Sequence, residues 1–244
     1  MKKGITRIEK IRVPSGAVYT LNDIQLLDLM AEYGFVRYGD RPFTLKSGIQ
    51  SHVYVFGRED LTDNPVLEIS VGEKMCQLLH RSVITKRQVC LIGIPTAGTP
   101  FAQAAAMMSA LEPGNLVNGE TVCHRIMKEK PKDHGAHKGW VNGAPNPEHD
   151  YWLVDNVATN GDSKIEAQEK IVNDGYPSAA DTGIFIWIDR QQGAVDRLTQ
   201  AGYRRIIVAY QLLDLAFAYG EIGCWPRDTV KKVEGEIRLH QFHK

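Results

Sequence analysis

The chain has 244 residues, 43% of them hydrophobic and 24% charged, enough for one large domain or two small ones with a full core and no covalent staples. Its 29 Lys and Arg balance 29 Asp and Glu to a formal net charge of zero. That balance argues against a general nucleic-acid binder, which needs surplus cations, and leaves room for a local cationic site for a small anion.

Cys76, Cys90, Cys123 and Cys224 lie far apart with no C-x-x-C pair, so neither a disulfide framework nor a zinc site is indicated and a reducing cytoplasm is expected. The start, MKKGITRIEK, is basic but has no apolar region behind it and does not read as a signal peptide. Thr20 can cap a helix carrying Leu21, Ile24, Leu27 and Met30, stopped by Gly34. Segment 43–56, rich in β-branched and aromatic residues around a KSG turn, predicts strands or a hairpin. Asn64-Pro65 sets a capping residue before an N1 proline, and Val66, Ile69, Leu78 and Leu79 continue that helix.

The uncharged stretch 89–111 contains Pro95, Pro100 and two glycines, so it reads as strand 89–94, turn and Ala-rich helix 100–111 and not as a membrane span. Residues 121–125 fit a strand. The apolar run 151–154 is followed by a Gly-containing loop and a helix at 164–172. Runs 184–188 and 206–208 are further buried strands, each followed by a helical stretch, 194–201 and 212–219. Strands alternating with helices imply βαβ units, hence an α/β fold with a mainly parallel, twisted sheet flanked by helices. Ligands of such sheets sit beyond the carboxyl ends of the strands, which directs attention to the loops after Ile94, Arg125, Val154 and Ile188. Between residues 126 and 150 lies IMKEKPKDHGAHKGWVNGAPNPEHD, with three prolines, three glycines and no apolar period. A loop this long inside a compact domain reads as a mobile lid, or else as a solvated insertion.

In YWLVDNVATNGDSKIEA, 151–167, a buried strand ends in Asp155 and a Thr/Asn/Gly loop opens a helix. Backbone N–H groups and the positive end of the helix dipole make such a turn an anion site. Gly161 lets the backbone approach a phosphate, and an acid at the strand end can accept hydrogen bonds from sugar hydroxyls. Ser163-x-x-Glu166 also reads as a plain capping box.

Five segments together resemble the orotate phosphoribosyltransferases among the type I phosphoribosyltransferases, over about residues 21–219. Segment 151–163 resembles their phosphoribosyl pyrophosphate (PRPP) motif. FTLKSG (43–48), GIPTAGTPFA (93–102), KDHG (132–135) and DRQQG (189–193) resemble four others, in family order. The resemblance implies a small N-terminal hood for the base (residues 1–60 with part of the C-terminus) on a PRPP-binding core (61–244). It implies that Lys46 reaches the pyrophosphate or the pyrimidine, and that Thr96, Ala97 and Gly98 hold pyrophosphate oxygens. Asp155, with Asn156 beside it, would bind ribose hydroxyls, and Thr159, Asn160, Gly161, Asp162 and Ser163 would enclose the 5′-phosphate. Lys132 and His134 would close over the site from the 126–150 loop, shared across a homodimer. Arg190 would face the orotate carboxylate, where a guanidinium fork suits two oxygens. Mg²⁺ would be held mainly through PRPP and water, with no dedicated protein metal cage.

The chain departs from that pattern at definite places. Asp155-Asn156 stands where the motif has two acids, and Asp162 brings a carboxylate into the phosphate loop; a side chain turned to solvent or capping the helix would remove the repulsion. Lys128-Glu129 occupies the position of an Arg-Lys pair, for which Arg125 and Lys130 are substitutes, and Ile49 and His52 replace a basic residue and a proline. The implied reaction is transfer of phosphoribosyl from PRPP to orotate, giving orotidine 5′-monophosphate and pyrophosphate in pyrimidine synthesis. The alternatives are a divergent enzyme using another base, or a PRPP- or nucleotide-sensing relative without turnover.

Overall fold

The structure, a computed structural model, describes residues 8–45, 48–56, 58–130, 139–142 and 144–240. An antiparallel pair, β1 (Lys10–Arg12) and β2 (Val18–Thr20), leads into α1 (Leu21–Glu32). Asp23 ties down the start of α1: its carboxylate accepts from the Thr20 N–H at 2.9 Å and from the Thr20 hydroxyl at 2.8 Å. The predicted hairpin is β3 (Val36–Thr44) paired antiparallel with β4 (Gln50–Val55). It begins earlier than residue 43: Val36–Tyr38 pair with Val53–Val55, and the register shifts between Tyr38 and Phe43, where Gly39 and Asp40 break the apolar alternation. Next come α2 (Arg58–Asp63) and α3 (Pro65–Ser82), the latter with proline in its first turn.

The remainder alternates as the apolar runs demand: β5 (Gln88–Gly93), α4 (Thr99–Leu111), β6 (Cys123–Ile126), β7 (His149–Ala158), α5 (Asp162–Asn173), β8 (Gly183–Asp189), α6 (Ala194–Gln200), β9 (Ile206–Gln211), α7 (Leu212–Glu221) and α8 (Arg227–Leu239). The five later strands form one parallel sheet in the order β6-β5-β7-β8-β9. Period-two alternation sorts its side chains between two cores. Leu91, Trp152, Val154, Phe185 and Trp187 pack under α1, α3, α4 and α7. Ile92, Leu153, Ile184 and Ile186 pack under α5 and α6.

Helix α8 is absent from the sequence expectations, although Val230, Val233 and Ile237 recur at helical spacing in an otherwise polar segment and the last two are buried. It packs against β4 and α7. The long segment after β6 is pinned at its base. Met127 bridges Trp140, the Lys128 N–H donates to Gly139 O at 2.8 Å, and the Val141 N–H donates to Ile126 O at 2.9 Å. Trp140 is buried against the Tyr176 ring and donates its Nε1–H to Asp174 at 2.8 Å. Among the described residues, no helix is long and apolar enough to cross a membrane.

Candidate active site

The carboxyl ends of β5 and β7, adjacent in the sheet, bring together two of the predicted loops. After β5 the chain turns through Ile94 to Gly98 into α4. The turn is held by Ile94 N–H donating to Val154 O at 2.9 Å and Gly98 N–H donating to Ile94 O at 2.8 Å. Gly98 has to be glycine, since a Cβ there would overlap the Val154 carbonyl oxygen and come within 2.7 Å of Ile94 N. After β7 the chain bends through Thr159 and Asn160 to Gly161, whose φ of 85° caps α5 in the left-handed region. The predicted Ser163-x-x-Glu166 capping box does not form. Gly161 is the cap residue, and Ser163 donates its hydroxyl to Asp155 at 3.4 Å.

Asp155 is buried, and its environment was not legible beforehand. Oδ1 accepts the Asn156 N–H at 2.9 Å, while Oδ2 lies 2.6 Å from Lys164 Nζ. Lys164 is itself buried and also donates to the Val157 carbonyl and to Ser163 Oγ. Sequence reasoning missed it, because a lysine in a first helical turn ordinarily reads as solvated. Asp162 carries its carboxylate outward, half exposed, paired with Arg197 at 2.7 Å and bonded to the Asn160 amide. The repulsion expected inside the phosphate loop is thus met by a cation on α6.

Two cavities meet along β7's end. A cleft of about 300 Å³ is lined by Asp155, Asn160, Gly161, Asp162, Ser163 and Lys164, with Ile94 and Pro95 opposite. A larger one, about 550 Å³, opens towards the β3–β4 hairpin, where Phe43, Tyr54 and Phe56 form a ring cluster with centroids 4.6 to 6.3 Å apart. Asn156, Val157 and Thr159 line both, and Ala97, Leu45 and Arg190 line the larger. The three rings are a further set that the sequence reading left without a role; their clustering in 43–56 was the available signal.

Arg190 departs from the expected two-pronged carboxylate grip. It is 2% exposed, and both ends of its fork are committed: one NH donates to Val53 O at 3.0 Å, the other to Ser51 Oγ, with Glu236 of α8 at 3.6 Å. Its Nε is buried without a hydrogen-bond partner, and the residue lines the larger cavity. Burial pushes the guanidinium down to about 10, against the pull of Glu236, so it stays charged at neutral pH. Asp189 beside it is raised by burial, although it accepts the Gln191 N–H at 3.0 Å. His52 stacks on Tyr38 and bonds Gly39 O at 2.8 Å, away from the lining.

Arg125 is not among the residues brought to the two cavities. The groups that feel its charge are its neighbour His124 and, on the α5 side of the sheet, Cys90, Cys123, His149, Tyr151 and Tyr176. The alternation of β6 turns it there. Lys128 lies in the pinned base of the long segment, its carbonyl accepting from Lys170 Nζ at 2.6 Å. Lys46, Lys132 and His134 lie outside the described residues.

No family model matches the chain. It is 29% identical over 179 residues to the orotate phosphoribosyltransferase of Thermococcus gammatolerans, covering 73% of this chain and 84% of that protein. It is 28% identical over 177 residues to that of Methanosarcina mazei, covering 72% and 83%. The solved orotate phosphoribosyltransferase of Aeropyrum pernix superposes with a TM-score of 0.56 at 25% identity, over 81% of this chain and 98% of that one. The chain is a homologue of the orotate phosphoribosyltransferases. Its fold is the type I phosphoribosyltransferase fold, shared also with Leishmania donovani UMP synthase at a TM-score of 0.67 and 22% identity, over 88% of this chain and 42% of that one. The chain spans 30% of the length of the bovine uridine 5′-monophosphate synthase, to which it is 27% identical.

Proposed function

We propose that this chain is an orotate phosphoribosyltransferase, transferring phosphoribosyl from PRPP to orotate to give orotidine 5′-monophosphate and pyrophosphate. The observation that carries this reading is the joined pair of cavities: a polar cleft under the α5 N-terminus opens, across Asn156 and Thr159, into a chamber walled by aromatic rings. A sugar bearing phosphate groups at both ends suits the first, and a flat pyrimidine suits the second.

The carbon–oxygen bond to pyrophosphate breaks early if the departing anion is stabilised and the cationic sugar is kept from water. In this reading the Thr96–Ala97–Gly98 turn and the Thr159–Ser163 bend hold the two phosphate ends, and Asp155 accepts from ribose hydroxyls through the second lone pair of Oδ1, the oxygen that also takes the Asn156 N–H. Lys132 and His134 close from the long loop, supplied across a homodimer, and lower the barrier for departure of pyrophosphate. The donor set fits Mg²⁺ carried by the substrate: Asp155 offers one oxygen and Asn156 a neutral amide, too few for a protein cage but adequate for a hydrated ion. When bound, the ion neutralises pyrophosphate charge.

The test is an absorbance assay of orotate consumption with PRPP and Mg²⁺, beside uracil, hypoxanthine and adenine. Orotate alone should be consumed. Turnover of another base would make the chain a divergent enzyme; PRPP binding without turnover of any base would favour a sensor, a reading that the pre-formed Asp155–Lys164 pair and Asn156 also accommodate.

A further inference from the structure

Away from the substrate cavities, the amino-terminal ends of β5, β6 and β7 bring three soft ligands together. Cys90 on β5 lies directly opposite Cys123 on β6, and His149, the first residue of β7, reaches across to them. One ligand atom from each residue falls within 4.8 Å of the other two, and Cys123 Sγ is 4.0 Å from either ring nitrogen of His149. Both thiols are free. Cys90 is fully buried, whereas Cys123 and His149 are half-buried, so the cluster has a floor and an open side.

We propose that Cys90, Cys123 and His149 form a binding site for a thiophilic divalent cation, Zn²⁺ foremost, that staples the two stems of the long segment to the sheet. Bond lengths of about 2.3 Å to sulfur and about 2.0 Å to nitrogen put tetrahedral ligand atoms about 3.5–3.8 Å apart, so closure needs only side-chain adjustment of a few tenths of an ångström to an ångström. Two thiolates and a neutral imidazole balance the charge of a divalent ion, with two protons released on binding. Three protein ligands leave a fourth position on the open side for water. The Tyr151 hydroxyl, 3.4 Å from His149 Nδ1 and bonded to Asn146, is placed to orient that ring.

The consequence lies in the chain path. Cys123 is the first residue of the sheet's edge strand, immediately before the 126–150 stretch, and His149 closes that stretch. A cation bridging them to the central strand fixes both stems at once, and it does so at the end of the strands opposite the substrate cavities. The sequence hides this set because 33 and 26 residues separate neighbours that strand pairing brings together.

The test uses the full-length, untagged, reduced and chelator-stripped protein titrated anaerobically with Co²⁺. One equivalent should bind with an intense thiolate-to-cobalt charge-transfer band, displaced by Zn²⁺. Cys123→Ser and His149→Gln should each weaken Co²⁺ binding by more than about tenfold with unchanged far-ultraviolet dichroism, while Cys224→Ser leaves it intact. Zn²⁺ should slow amide exchange at residues 123–128 and 139–150. Absence of the band in reduced protein, or wild-type Co²⁺ affinity in both variants, overturns the site. Uptake without slower exchange overturns the stapling role.

Discussion

Lys164 Nζ lies 2.6 Å from Asp155 Oδ2, with the side chains 3% and 9% exposed. The acid expected to meet ribose therefore carries its own buried counter-charge. Removing one member of such a pair strands the other in a medium that solvates it poorly, a loss of about 3–5 kcal/mol. Lys164→Met and Asp155→Asn are each expected to lose about 3 kcal/mol in urea unfolding, and the double variant to recover at least half of the sum. Strictly additive losses would mean that the two charges do not act as a pair.

The pair between Arg197 and Asp162 is of the opposite kind, exposed and of little weight for stability. Its importance is the sign of the field at the phosphate loop. An uncompensated carboxylate about 5 Å from a phosphate charge repels it by roughly 3 kcal/mol at an effective dielectric near 20. Solvent screening at this half-exposed pair reduces that to about 1–2 kcal/mol, so Arg197→Ala should weaken PRPP binding about 5- to 20-fold in calorimetry without lowering the melting temperature noticeably. Asp162→Gly should change PRPP affinity less than about threefold; a hundredfold gain would contradict the neutralising role of Arg197.

Two glycines make separable demands. At Gly98 a methyl group meets backbone on both sides, and backbone cannot swing away, so Gly98→Ala is expected to cost about 3 kcal/mol or more by forcing β5 and β7 apart. At Gly161 the nearest atom to a new Cβ is 3.4 Å away, on Leu198. There the cost is the left-handed φ alone, about 1–2 kcal/mol. Guanidinium unfolding midpoints should rank wild type, Gly161→Ala, Gly98→Ala; the reverse order would refute this reading of the turn.

The parallel sheet was legible because its strands are short unbroken apolar runs separated by helical periods, as in 89–94 and 184–188, and burial on both faces leaves no alternation to misread. The anion loop was legible because Asp155, the following turn residues and Gly161 are local in sequence. What depends on pairing between distant segments was not. Lys164 points inward only because Asp155 and the Val157 carbonyl await it. The Arg190 fork is committed because Ser51 and Val53 of β4 and Glu236 of α8 converge on it. Cys90, Cys123 and His149 meet only through strand register.

That convergence on Arg190 makes a specific prediction. Its guanidinium spans three partners on two elements, which an ammonium cannot do in one geometry. Arg190→Lys should lose about 2–3 kcal/mol of stability and raise the orotate KM far more than the PRPP KM. Glu236→Gln, which removes the counter-charge but keeps one carbonyl oxygen to accept the His52 N–H, should cost less stability. Equal rises in both KM values for Arg190→Lys would place Arg190 outside base recognition.

Acid sensitivity should trace in part to Asp23 at the start of α1. Burial works to raise its carboxyl, but hydrogen bonds from Lys74, the Thr20 N–H and the Thr20 hydroxyl, with the Lys74 charge, outweigh it and hold the group below its ordinary 3.8. A carboxyl lowered in the folded state binds fewer protons there than in the unfolded chain, so its contribution is fully present above about pH 4 and is lost as pH falls through the folded value. Urea midpoints measured between about pH 2 and pH 6 should fall steeply for the wild type, and less steeply for Asp23→Asn, which starts from lower stability at pH 6. Lys74→Met should flatten the curve in the same way, because it removes the cation that lowers the carboxyl. An unchanged slope in both variants would assign the acid sensitivity to other carboxylates.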